Sequence, residues 1–473
     1  MTRSGWVAAV DLGATSGRVM LGHVGPDVLS LTEVHRFPNE PVAVADGLHW
    51  NILDLYRNVL IGLRKAIGAQ PELAGVGIDS WAVDYGLVKA SRLINNPFHY
   101  RDERTAHGVD LVHTVVDHGT LYTANGLQFQ PFNTLYQLAV DAEVGVIDES
   151  VRLLMIPDLL GFWLTGEQMV ERTNGSTTGL VDIGSGDWNS TLIDKLGLPR
   201  SLFPPLVDAG QRIGSMRRDV AAEVGASAAL DVFAVGSHDT ASAVVGVPTT
   251  EPGAAYVSSG TWSLVGIELD RPVLSDESRE ANFTNEGGVD GKIRYLRNVM
   301  GMWLLSESIR SWQREGQSVE LGPLLEQAAA ISAPVPIFDA NHSSLLPPGD
   351  MPKRIAALCM ERGHAAPSSP ALFARSILES LAEAYAEALE DAERLSGHQI
   401  STVHIVGGGS QNALLCQLTA DRARRRVLAG PVEATAIGNV LVQARAAGLV
   451  SGGLANLRAL VANTFPPTEY SPH

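Results

Sequence analysis

Apolar runs separated by short polar turns make up most of the chain. Two apolar arms, Trp6–Val10 and Val19–Leu21, flank the turn Gly13–Gly17, a pattern that predicts a β-hairpin. A second hairpin of the same design is predicted over Ala254–Ile267, where apolar arms flank a Ser-Ser-Gly-Thr turn. Because the two hairpins lie far apart in the chain, we expect a duplicated domain with a nucleotide held between the copies.

The first hairpin turn has the chemistry of a phosphate loop. Its glycines and hydroxyl residues offer backbone N–H groups and hydroxyl donors with little side-chain obstruction, which suits a polyphosphate. Asp11 ends the first arm and could hold Mg²⁺ through water molecules, because Mg²⁺ keeps much of its hydration shell. An ordinary hairpin turn is the alternative interpretation.

A strand that leads into a helix is predicted at the middle of the chain. Val232–Val235 is apolar, Gly236–Thr240 is small and polar, and Ala241–Val245 resumes with helix formers. Such an elbow lies at the carboxyl edge of a sheet, where ligands bind in α/β folds. Asp239 would start the helix, where backbone N–H groups and the macrodipole keep a carboxylate ionised. Alternatively, Ser237 or Asp239 is an ordinary N-cap.

Helical periodicity is clearest over Ala371–Leu395, which Ser396-Gly397 ends. Strand Thr402–Val406 then leads into Gly407–Gly409, whose glycines allow a planar ligand to lie against bare backbone. A strand, a glycine-rich turn and a helix in that order are typical of an α/β nucleotide site, although a lone triple glycine is not specific. The remaining predicted elements are strands over Gly75–Asp79 and 426–428 and helices over Asp158–Gly166, 412–424 and 435–446.

Composition narrows the classes of partner. The chain has 473 residues, too many for one compact core, so we predict two domains, 1–245 and 246–473. A formal net charge of -17 disfavours nucleic acid and anionic membranes as partners. Two isolated cysteines, no secretory leader and no membrane-spanning run indicate a cytoplasmic protein. The sequence does not indicate an oligomeric state.

With these elements placed, the chain resembles the FGGY family of carbohydrate kinases, within the actin-like ATPase superfamily. The resemblance runs from Val7 to about Glu469. The segments that carry it are Val10–Leu21, Gly77–Asp84, Tyr100–Asp102, Gln128–Leu138, Ser237–Ala243, Ser258–Ser263, Thr284–Gly288, Asn298–Leu305, His404–Asn412 and Gly430–Ala434.

The resemblance implies an α/β fold of two ribonuclease-H-like domains with the active site in the cleft between them. It also implies transfer of the ATP γ-phosphoryl group to a small sugar, with ATP and Mg²⁺ as cofactors. We expect the substrate to be L-rhamnulose, phosphorylated at O1 in rhamnose catabolism. Another ketose or polyol, such as L-fuculose or L-ribulose, is the alternative within the class. An actin- or chaperone-type ATPase without a sugar substrate is the alternative outside it.

Residue roles follow from the same resemblance. Asp239 matches the catalytic base, and Asp11 is the residue expected near the metal. The expected sugar contacts are Ala82, Asp102, His238, Asp239, Thr240 and Asn298. The expected ATP contacts are Ala14, Thr15, Ser16, Gly17, Arg18, Thr261, Ser306 and Gly408. The chain departs from the resembled pattern at two of these positions, where Ala82 replaces a glycine at the sugar and Ser306 replaces a glutamine near ATP.

Overall fold

The computed structural model describes residues 4–251 and 253–473. Its strands are Gly5–Leu12 (β1), Ser16–Gly25 (β2), Val28–Pro38 (β3), Val42–Val44 (β4), Gly47–His49 (β5), Leu73–Ser80 (β6), Tyr85–Lys89 (β7), Arg92–Leu93 (β8), Val151–Met155 (β9), Val170–Glu171 (β10), Leu206–Val207 (β11), Arg212–Ser215 (β12), Asp231–Phe233 (β13), Ala254–Ser259 (β14), Trp262–Leu269 (β15), Thr284–Gly287 (β16), Ile293–Met300 (β17), Thr402–Val406 (β18), Arg426–Ala429 (β19) and Thr468–Tyr470 (β20).

The described residues also form α-helices. They are Ile52–Ala69 (α1), Arg104–His113 (α2), His118–Asn125 (α3), Thr134–Glu143 (α4), Ile156–Thr165 (α5), Arg172–Gly175 (α6), Ser190–Lys195 (α7), Arg218–Val224 (α8), Asp239–Val245 (α9), Asp276–Glu280 (α10), Trp303–Arg314 (α11), Leu321–Ala329 (α12), Met351–Glu361 (α13), Pro370–Ser396 (α14), Ala413–Ala423 (α15), Ala434–Ala446 (α16) and Leu454–Thr464 (α17). No helix in the described part of the chain is both long and apolar enough to span a membrane.

Two compact units make up the chain. The first unit consists of the described parts of Met1–Thr250 together with Glu268–Tyr295 and Ala434–Thr464. The second unit consists of the described parts of Glu251–Ile267 together with Leu296–Glu433 and Phe465–His473. The proposed domain boundary at 245/246 stays a prediction.

The first unit is built on a sheet of six strands in the order β12-β13-β6-β1-β2-β3. Strands β1 and β2 form the predicted hairpin, with Asp11 opposite Arg18. On its other side β1 pairs in parallel with β6, and β6 pairs in parallel with β13. The carboxyl ends of these three parallel strands therefore lie side by side, the arrangement that gathers ligand-binding residues at one edge of a sheet.

The second sheet has seven strands in the order β16-β17-β15-β14-β18-β19-β20. Strands β14 and β15 form the second predicted hairpin, and β14, β18 and β19 are successive parallel neighbours. The central strands of the two sheets therefore have the same arrangement, in which the first strand of a hairpin pairs in parallel with a later strand. The duplication predicted from the two hairpins is confirmed in this repeated strand order.

An apolar layer buries one face of the first sheet. Val10 and Val19 of the hairpin are fully buried, as are Val59 and Leu63 of α1. The helix forms because its apolar residues recur at helical spacing and face the sheet. Burial of side chains of this size stabilises the fold by about 1.5–3 kcal/mol each, and this layer fixes the hairpin that carries the first predicted phosphate loop.

Helix α9, which follows the central elbow, lies against α16 at two glycines. A Cβ atom on Gly438 would lie 1.8 Å from the carbonyl oxygen of Ser242, and one on Gly246 would lie 2.3 Å from that of Ala434. Both distances are far below van der Waals contact, so only glycine allows the two helix backbones to approach this closely. The position of α9 therefore depends on these glycines.

Predicted element bounds agree with the structure to within a few residues. Strand β13 ends at Phe233, two residues before the end of the apolar run, because Ala234 donates its N–H to the carbonyl oxygen of Gln211 instead of continuing the ladder. Helix α5 begins at Ile156 and includes Pro157, which is tolerated in a first helical turn. The long helix α14 ends at Gly397 in a left-handed conformation, as the sequence predicts.

Candidate active site

The central elbow has the predicted geometry. His238 is the N-cap residue of α9, Asp239 is the first helical residue, and the N-cap side chain forms no capping hydrogen bond. The carbonyl oxygen of Ser237 accepts the N–H of Ser80, which ends β6. The elbow is thereby attached to the edge where β6 ends, and Asp239 projects from this edge.

The Asp239 carboxyl group lies in a crowded polar environment and keeps 28% of its side-chain surface exposed. Thr240 Oγ donates to Asp239 Oδ1 over 3.0 Å, and His238 Nε2 lies 3.5 Å from the same oxygen. Removal of water raises the pKa of Asp239, His238 opposes this effect, and the neighbouring Asp11 adds to it. The sequence predicts that the helix N-terminus keeps Asp239 ionised, whereas desolvation acts in the opposite direction and raises its pKa.

Two further carboxylates end neighbouring strands beside the elbow. Asp11 of β1 is the direct parallel partner of Asp79 of β6. Asp79 is fully buried, and its Oδ2 accepts a hydrogen bond of 2.5 Å from Asn439 Nδ2. Burial raises the pKa of Asp79 well above its ordinary value, and Asp11 raises it further. Within the described residues, Asp79 Oδ1 has no hydrogen-bond partner.

These carboxylates fit a hydrated Mg²⁺ ion. Two neighbouring buried carboxylates repel each other, and the unpartnered oxygen of Asp79 adds a desolvation cost. A bound cation would lower both costs. Mg²⁺ usually keeps several waters and needs only one or two carboxylates from the protein. Arg18 binds Asp11 Oδ2 over 2.7 Å, so Asp11 would hold a Mg²⁺ ion through water molecules. In the described chain, no group of three or more His, Cys, Asp or Glu side chains has the arrangement of a fully protein-bound metal site.

The first hairpin turn brings the predicted phosphate-binding residues together in the first unit. Gly13 N–H donates to the carbonyl oxygen of Ser16 across the turn, and Thr15 is exposed at its tip. Arg18 points back to Asp11 and forms hydrogen bonds of 2.9 and 2.7 Å. Packing also requires glycine at position 17, since a Cβ atom on Gly17 would lie 2.4 Å from the Phe37 ring.

His238 belongs to a buried ionic network that includes two residues outside the predicted site. Its Nδ1 atom lies 3.3 Å from Glu286 Oε2 and 3.0 Å from Arg294 Nη2. Arg294 is fully buried and also donates to the carbonyl oxygen of Gly287 over 2.9 Å. Burial alone would raise the pKa of Glu286, but Arg294 and His238 outweigh it, so the pKa is lowered. The network holds the imidazole ring beside Asp239.

Ala82 lies in a tight turn whose centre is strained. Asp84 donates its N–H to the carbonyl oxygen of Ala82 over 2.9 Å, and Val83 between them has a φ of 67°. A β-branched residue rarely adopts this left-handed conformation, and such strain clusters at functional sites. Thr134 Oγ donates to the carbonyl oxygen of Val83 over 2.6 Å, which helps to hold the turn.

Asp84 anchors the aromatic residues around this turn. Its carboxylate accepts hydrogen bonds from Trp50 Nε1 (2.6 Å), Trp81 Nε1 (3.0 Å), Gln137 Nε2 (3.0 Å) and the Tyr100 N–H (3.2 Å). Complete burial nevertheless raises the pKa of Asp84 to about 6, against the opposing effect of these four donors. The Trp50 and Trp81 rings, both bound to the Asp84 carboxylate, therefore support the turn at Ala82.

Asp102 lies on the loop that follows Tyr100, and both of its oxygens have backbone partners. Oδ2 accepts the Leu48 N–H over 2.7 Å, and Oδ1 accepts the Arg104 N–H over 3.0 Å. These bonds give Asp102 a structural role in closing the loop. Its contact with a sugar stays a prediction.

The other predicted ATP residues cluster in the second unit around the turn of the second hairpin. The carbonyl oxygen of Thr261 accepts the Trp303 N–H over 3.2 Å, so the turn lies at the start of the helix α11 that carries the exposed Ser306. On the other side, a Cβ atom on Gly409 would lie 2.0 Å from Ser259 Oγ, whereas one on Gly408 would meet nothing within 4 Å. Gly408 thus presents bare, accessible backbone.

The sequence-predicted residues therefore fall into two groups. The first unit contains Asp11, Ala14, Thr15, Ser16, Gly17, Arg18, Ala82, Asp102, His238, Asp239 and Thr240, and the second contains Thr261, Asn298, Ser306 and Gly408. Asn298 is half-buried on β17. Sequence reasoning missed Asp79, Glu286, Arg294 and Asn439 as members of the site. The first two lie in segments quoted for the resemblance, Gly77–Asp84 and Thr284–Gly288, which was the available signal.

Comparison with known families defines the class. The N-terminal domain of the FGGY family of carbohydrate kinases matches residues 6–246, and the C-terminal domain of that family matches residues 255–447. These two matches cover most of the chain. The chain belongs to the FGGY family of carbohydrate kinases.

Several similar sequences within that family are rhamnulokinases. The chain is 42% identical to a rhamnulokinase of Pectobacterium carotovorum subsp. carotovorum over 473 residues, covering 98% of this chain and 93% of the relative. It is 37% identical to a rhamnulokinase of Bacteroides thetaiotaomicron, covering 98% and 95%, and 37% identical to one of Bacillus subtilis, also covering 98% and 95%.

Solved structures agree on the fold. The gluconate kinase of Lactobacillus acidophilus superposes with a TM-score of 0.78 at 13% identity, covering 100% of this chain and 94% of that structure. The xylulose kinase of Rhodospirillum rubrum superposes with a TM-score of 0.76 at 16% identity, covering 99% and 94%. The expected two-domain α/β fold of the actin-like ATPase type is confirmed.

Proposed function

We propose that this carbohydrate kinase transfers the γ-phosphoryl group of ATP to O1 of L-rhamnulose. The observation that carries the proposal is the identity of 36–42% to rhamnulokinases over nearly the full chain. The carboxyl group at the central elbow supplies the chemistry that such a reaction needs. Family membership also disfavours the alternative of an ATPase without a sugar substrate.

Asp239 is the proposed general base. Phosphoryl transfer asks for positioning and charge neutralisation, with one group to accept the proton of the attacking hydroxyl. Asp239 is partly exposed at the edge where β1, β6 and β13 end, and its raised pKa makes it a better proton acceptor than an ordinary carboxylate. It would take the hydroxyl proton as the bond to phosphorus forms.

The buried network behind His238 would orient the sugar. His238 is held by Glu286 and Arg294, so its ring has little freedom to move. A fixed ring nitrogen can distinguish the configuration of a sugar hydroxyl, because a wrongly placed hydroxyl leaves it unpaired. Thr240 and Asn298 are the further proposed sugar contacts.

The ATP phosphates would bind at the two hairpin turns. Ala14–Arg18 offers backbone N–H groups and hydroxyls, Thr261 offers a hydroxyl, and Gly408 offers open backbone for the adenosine. Ser306, exposed on α11, would face the nucleotide. Mg²⁺, when bound near Asp11 and Asp79, neutralises charge on the phosphate oxygens. That these two groups of residues meet in a cleft between the domains stays a prediction.

Ala82 sets the proposed fit of the sugar. L-Rhamnulose ends in a methyl group where other hexuloses have a hydroxymethyl, and an apolar wall rejects an added hydroxyl only by about 10²-fold or less. L-Fuculose ends in a methyl group too, so the configuration of the middle hydroxyls must be read by polar partners such as His238 and Asn298, where a wrongly placed hydroxyl leaves a partner unpaired. L-Fuculose and the shorter L-ribulose are expected as poorer substrates. The Ala82→Gly variant should change KM more than kcat, because the methyl group touches the ground state and the transition state alike.

A coupled ADP-release assay tests the proposal. ATP turnover is measured with L-rhamnulose, L-fuculose, L-ribulose, D-xylulose and glycerol, and in a control without sugar. We expect L-rhamnulose to give the highest kcat/KM and the control to give almost no ADP. Another ketose or glycerol in first place would overturn the substrate and leave the kinase class standing. Equal turnover without sugar would overturn the kinase.

A further inference from the structure

A buried asparagine holds the turn of the first hairpin. Asn39 directly follows β3 and lies between the exposed residues Pro38 and Glu40, yet it is only 3% exposed itself. Its backbone N–H donates to the carbonyl oxygen of Thr15 over 3.0 Å, and its side-chain Nδ2 atom donates to the carbonyl oxygen of Gly13 over 2.9 Å. One residue therefore binds the turn at two of its carbonyl groups.

These two bonds fix the directions of the peptide groups in the turn. In a planar trans peptide the carbonyl group and the N–H group point in opposite directions. The carbonyl oxygens of Gly13 and Thr15 both point toward Asn39. The N–H groups of the same two peptide bonds, which belong to Ala14 and Ser16, therefore both point away from Asn39. Two N–H groups aligned in this way are the kind of backbone donor pair that binds an anionic oxygen.

A further carbonyl group of the turn is also occupied. The carbonyl oxygen of Ser16 accepts the Gly13 N–H over 2.9 Å. A carbonyl oxygen without a donor carries partial negative charge and would repel a phosphate group at short range. The bonds from Asn39 and Gly13 therefore remove an obstacle to anion binding while they align the donors.

The second hairpin has the same arrangement with different donors. The carbonyl oxygen of Gly260 accepts the Met302 N–H over 3.0 Å, and that of Thr261 accepts the Trp303 N–H over 3.2 Å. By the same peptide geometry, the N–H groups of Thr261 and Trp262 point away from the start of α11. In each unit, two carbonyl groups of a predicted phosphate turn are thus bound from outside the hairpin.

Stability alone is a poor explanation for the Asn39 side chain. Its Oδ1 atom is buried and has no hydrogen-bond partner within the part of the chain that the structure describes. Such an atom costs stability, which offsets part of what the bond to Gly13 contributes. We propose that Asn39 is a positioning residue that aligns the N–H groups of Ala14 and Ser16 for the phosphates of ATP. The inference rests on the proposed function of this turn as a phosphate loop.

Replacing Asn39 by Ala tests this role. The variant removes the side-chain bond to Gly13 and keeps the backbone bond to Thr15. ATP affinity is measured by calorimetry with Mg²⁺ and without sugar, and steady-state kinetics are measured with L-rhamnulose. We expect Kd and KM for ATP to rise about tenfold, because misaligned donors weaken hydrogen bonds to a charged group. KM for the sugar should stay within about twofold and kcat within about threefold.

Asn125→Ala is the matched control. Asn125 is 4% exposed, and its Nδ2 atom likewise donates to a backbone carbonyl oxygen, that of Gly179, over 3.0 Å. The control should lower Tm but leave Kd for ATP within about twofold of the parent value, because its bond lies outside the phosphate loop. An unchanged ATP affinity in Asn39→Ala, or an equal loss of affinity in the control, would overturn the positioning role.

The two measurements distinguish a failure of this inference from a failure of the proposed function. If Asn39→Ala loses ATP affinity and the parent releases no ADP with any sugar, the positioning role stands and the proposed sugar kinase fails. If the parent phosphorylates L-rhamnulose and Asn39→Ala binds ATP as tightly as the parent, the positioning role fails alone. Should Asn39→Ala not fold, Asn39→Ser decides by the same measurements, because its hydroxyl is one atom short of the amide.

Discussion

Replacing Asp239 by Asn should lower the activity without lowering the stability. Asn has nearly the shape of Asp and can still accept the hydrogen bond from Thr240, but it cannot take a proton. General bases contribute about 10²–10⁴-fold to rate. The expected fall in kcat therefore corresponds to about 3–5 kcal/mol of lost transition-state stabilisation. KM for ATP should change little, because the phosphate loops are formed by other segments.

The same substitution should leave the thermal stability at pH 8 unchanged or raise it. The pKa of Asp239 is raised in the folded protein, so the folded state favours the protonated form more than the unfolded state does. Its contribution to stability is present at low pH and is lost as pH rises through the folded pKa, which leaves the ionised group unfavourable at neutral pH. Asn carries no charge. The Tm of Asp239→Asn at pH 8 should equal or exceed that of the parent, and the gain should shrink toward pH 4.

The assay combines steady-state ADP release at saturating L-rhamnulose with thermal unfolding at pH 4 and pH 8. Asp219→Asn is the matched control, because that carboxylate is exposed and its loss should leave kcat unchanged. If Asp239 only stabilised the first turn of α9 through the helix dipole, kcat would stay within a few-fold and Tm would fall, since such a charge contributes about 0.3–1 kcal/mol. That combination would refute the assignment of the base.

Three further predictions concern other parts of the structure. The pKa of Asp84 is about 6 in the folded protein, so the free energy of unfolding should fall by about 3 kcal/mol as pH rises from about 4 to 6. Denaturant unfolding of the parent, compared with Asp84→Asn at each pH, measures this loss. Gly438→Ala should lower both Tm and kcat, because it forces α16 away from α9. In the control Gly68→Ala the added Cβ atom meets open space, so Tm and kcat should stay at the values of the parent. Equal Tm values for the two variants would contradict the close packing of the helices. Gly408→Val should raise KM for ATP at unchanged Tm, while Gly409→Ala should lower Tm; an unchanged KM would remove Gly408 from the nucleotide site.

Local sequence signals predicted much of the fold. The two hairpins, the long helix over Pro370–Ser396 and the elbow at Ser237–Asp239 each depend on residues that are neighbours in sequence. Apolar runs, glycine-rich turns and helix periodicity report such local structure directly. The repeated hairpin also predicted the duplication, which the matching strand order of the two sheets confirms.

The supporting contacts of the site could not be predicted in this way. Asn439 binds Asp79 across 360 positions, and Arg294 lies beside His238 across 56. Nothing in the local pattern of these residues indicates their partners, because the contacts arise only when distant segments pack. The acidity of Asp239 was misjudged for the same reason, since desolvation depends on the whole surrounding structure.

The identity of the product tests the central claim most directly. The protein is incubated with ATP, Mg²⁺ and ¹³C-labelled L-rhamnulose, and the product is examined by ³¹P and ¹³C NMR. The proposed function predicts one equivalent of ADP and a phosphate ester at C1, seen as phosphorus coupling to the C1 carbon. ADP without a phosphorylated sugar, or an ester at another carbon, would contradict it.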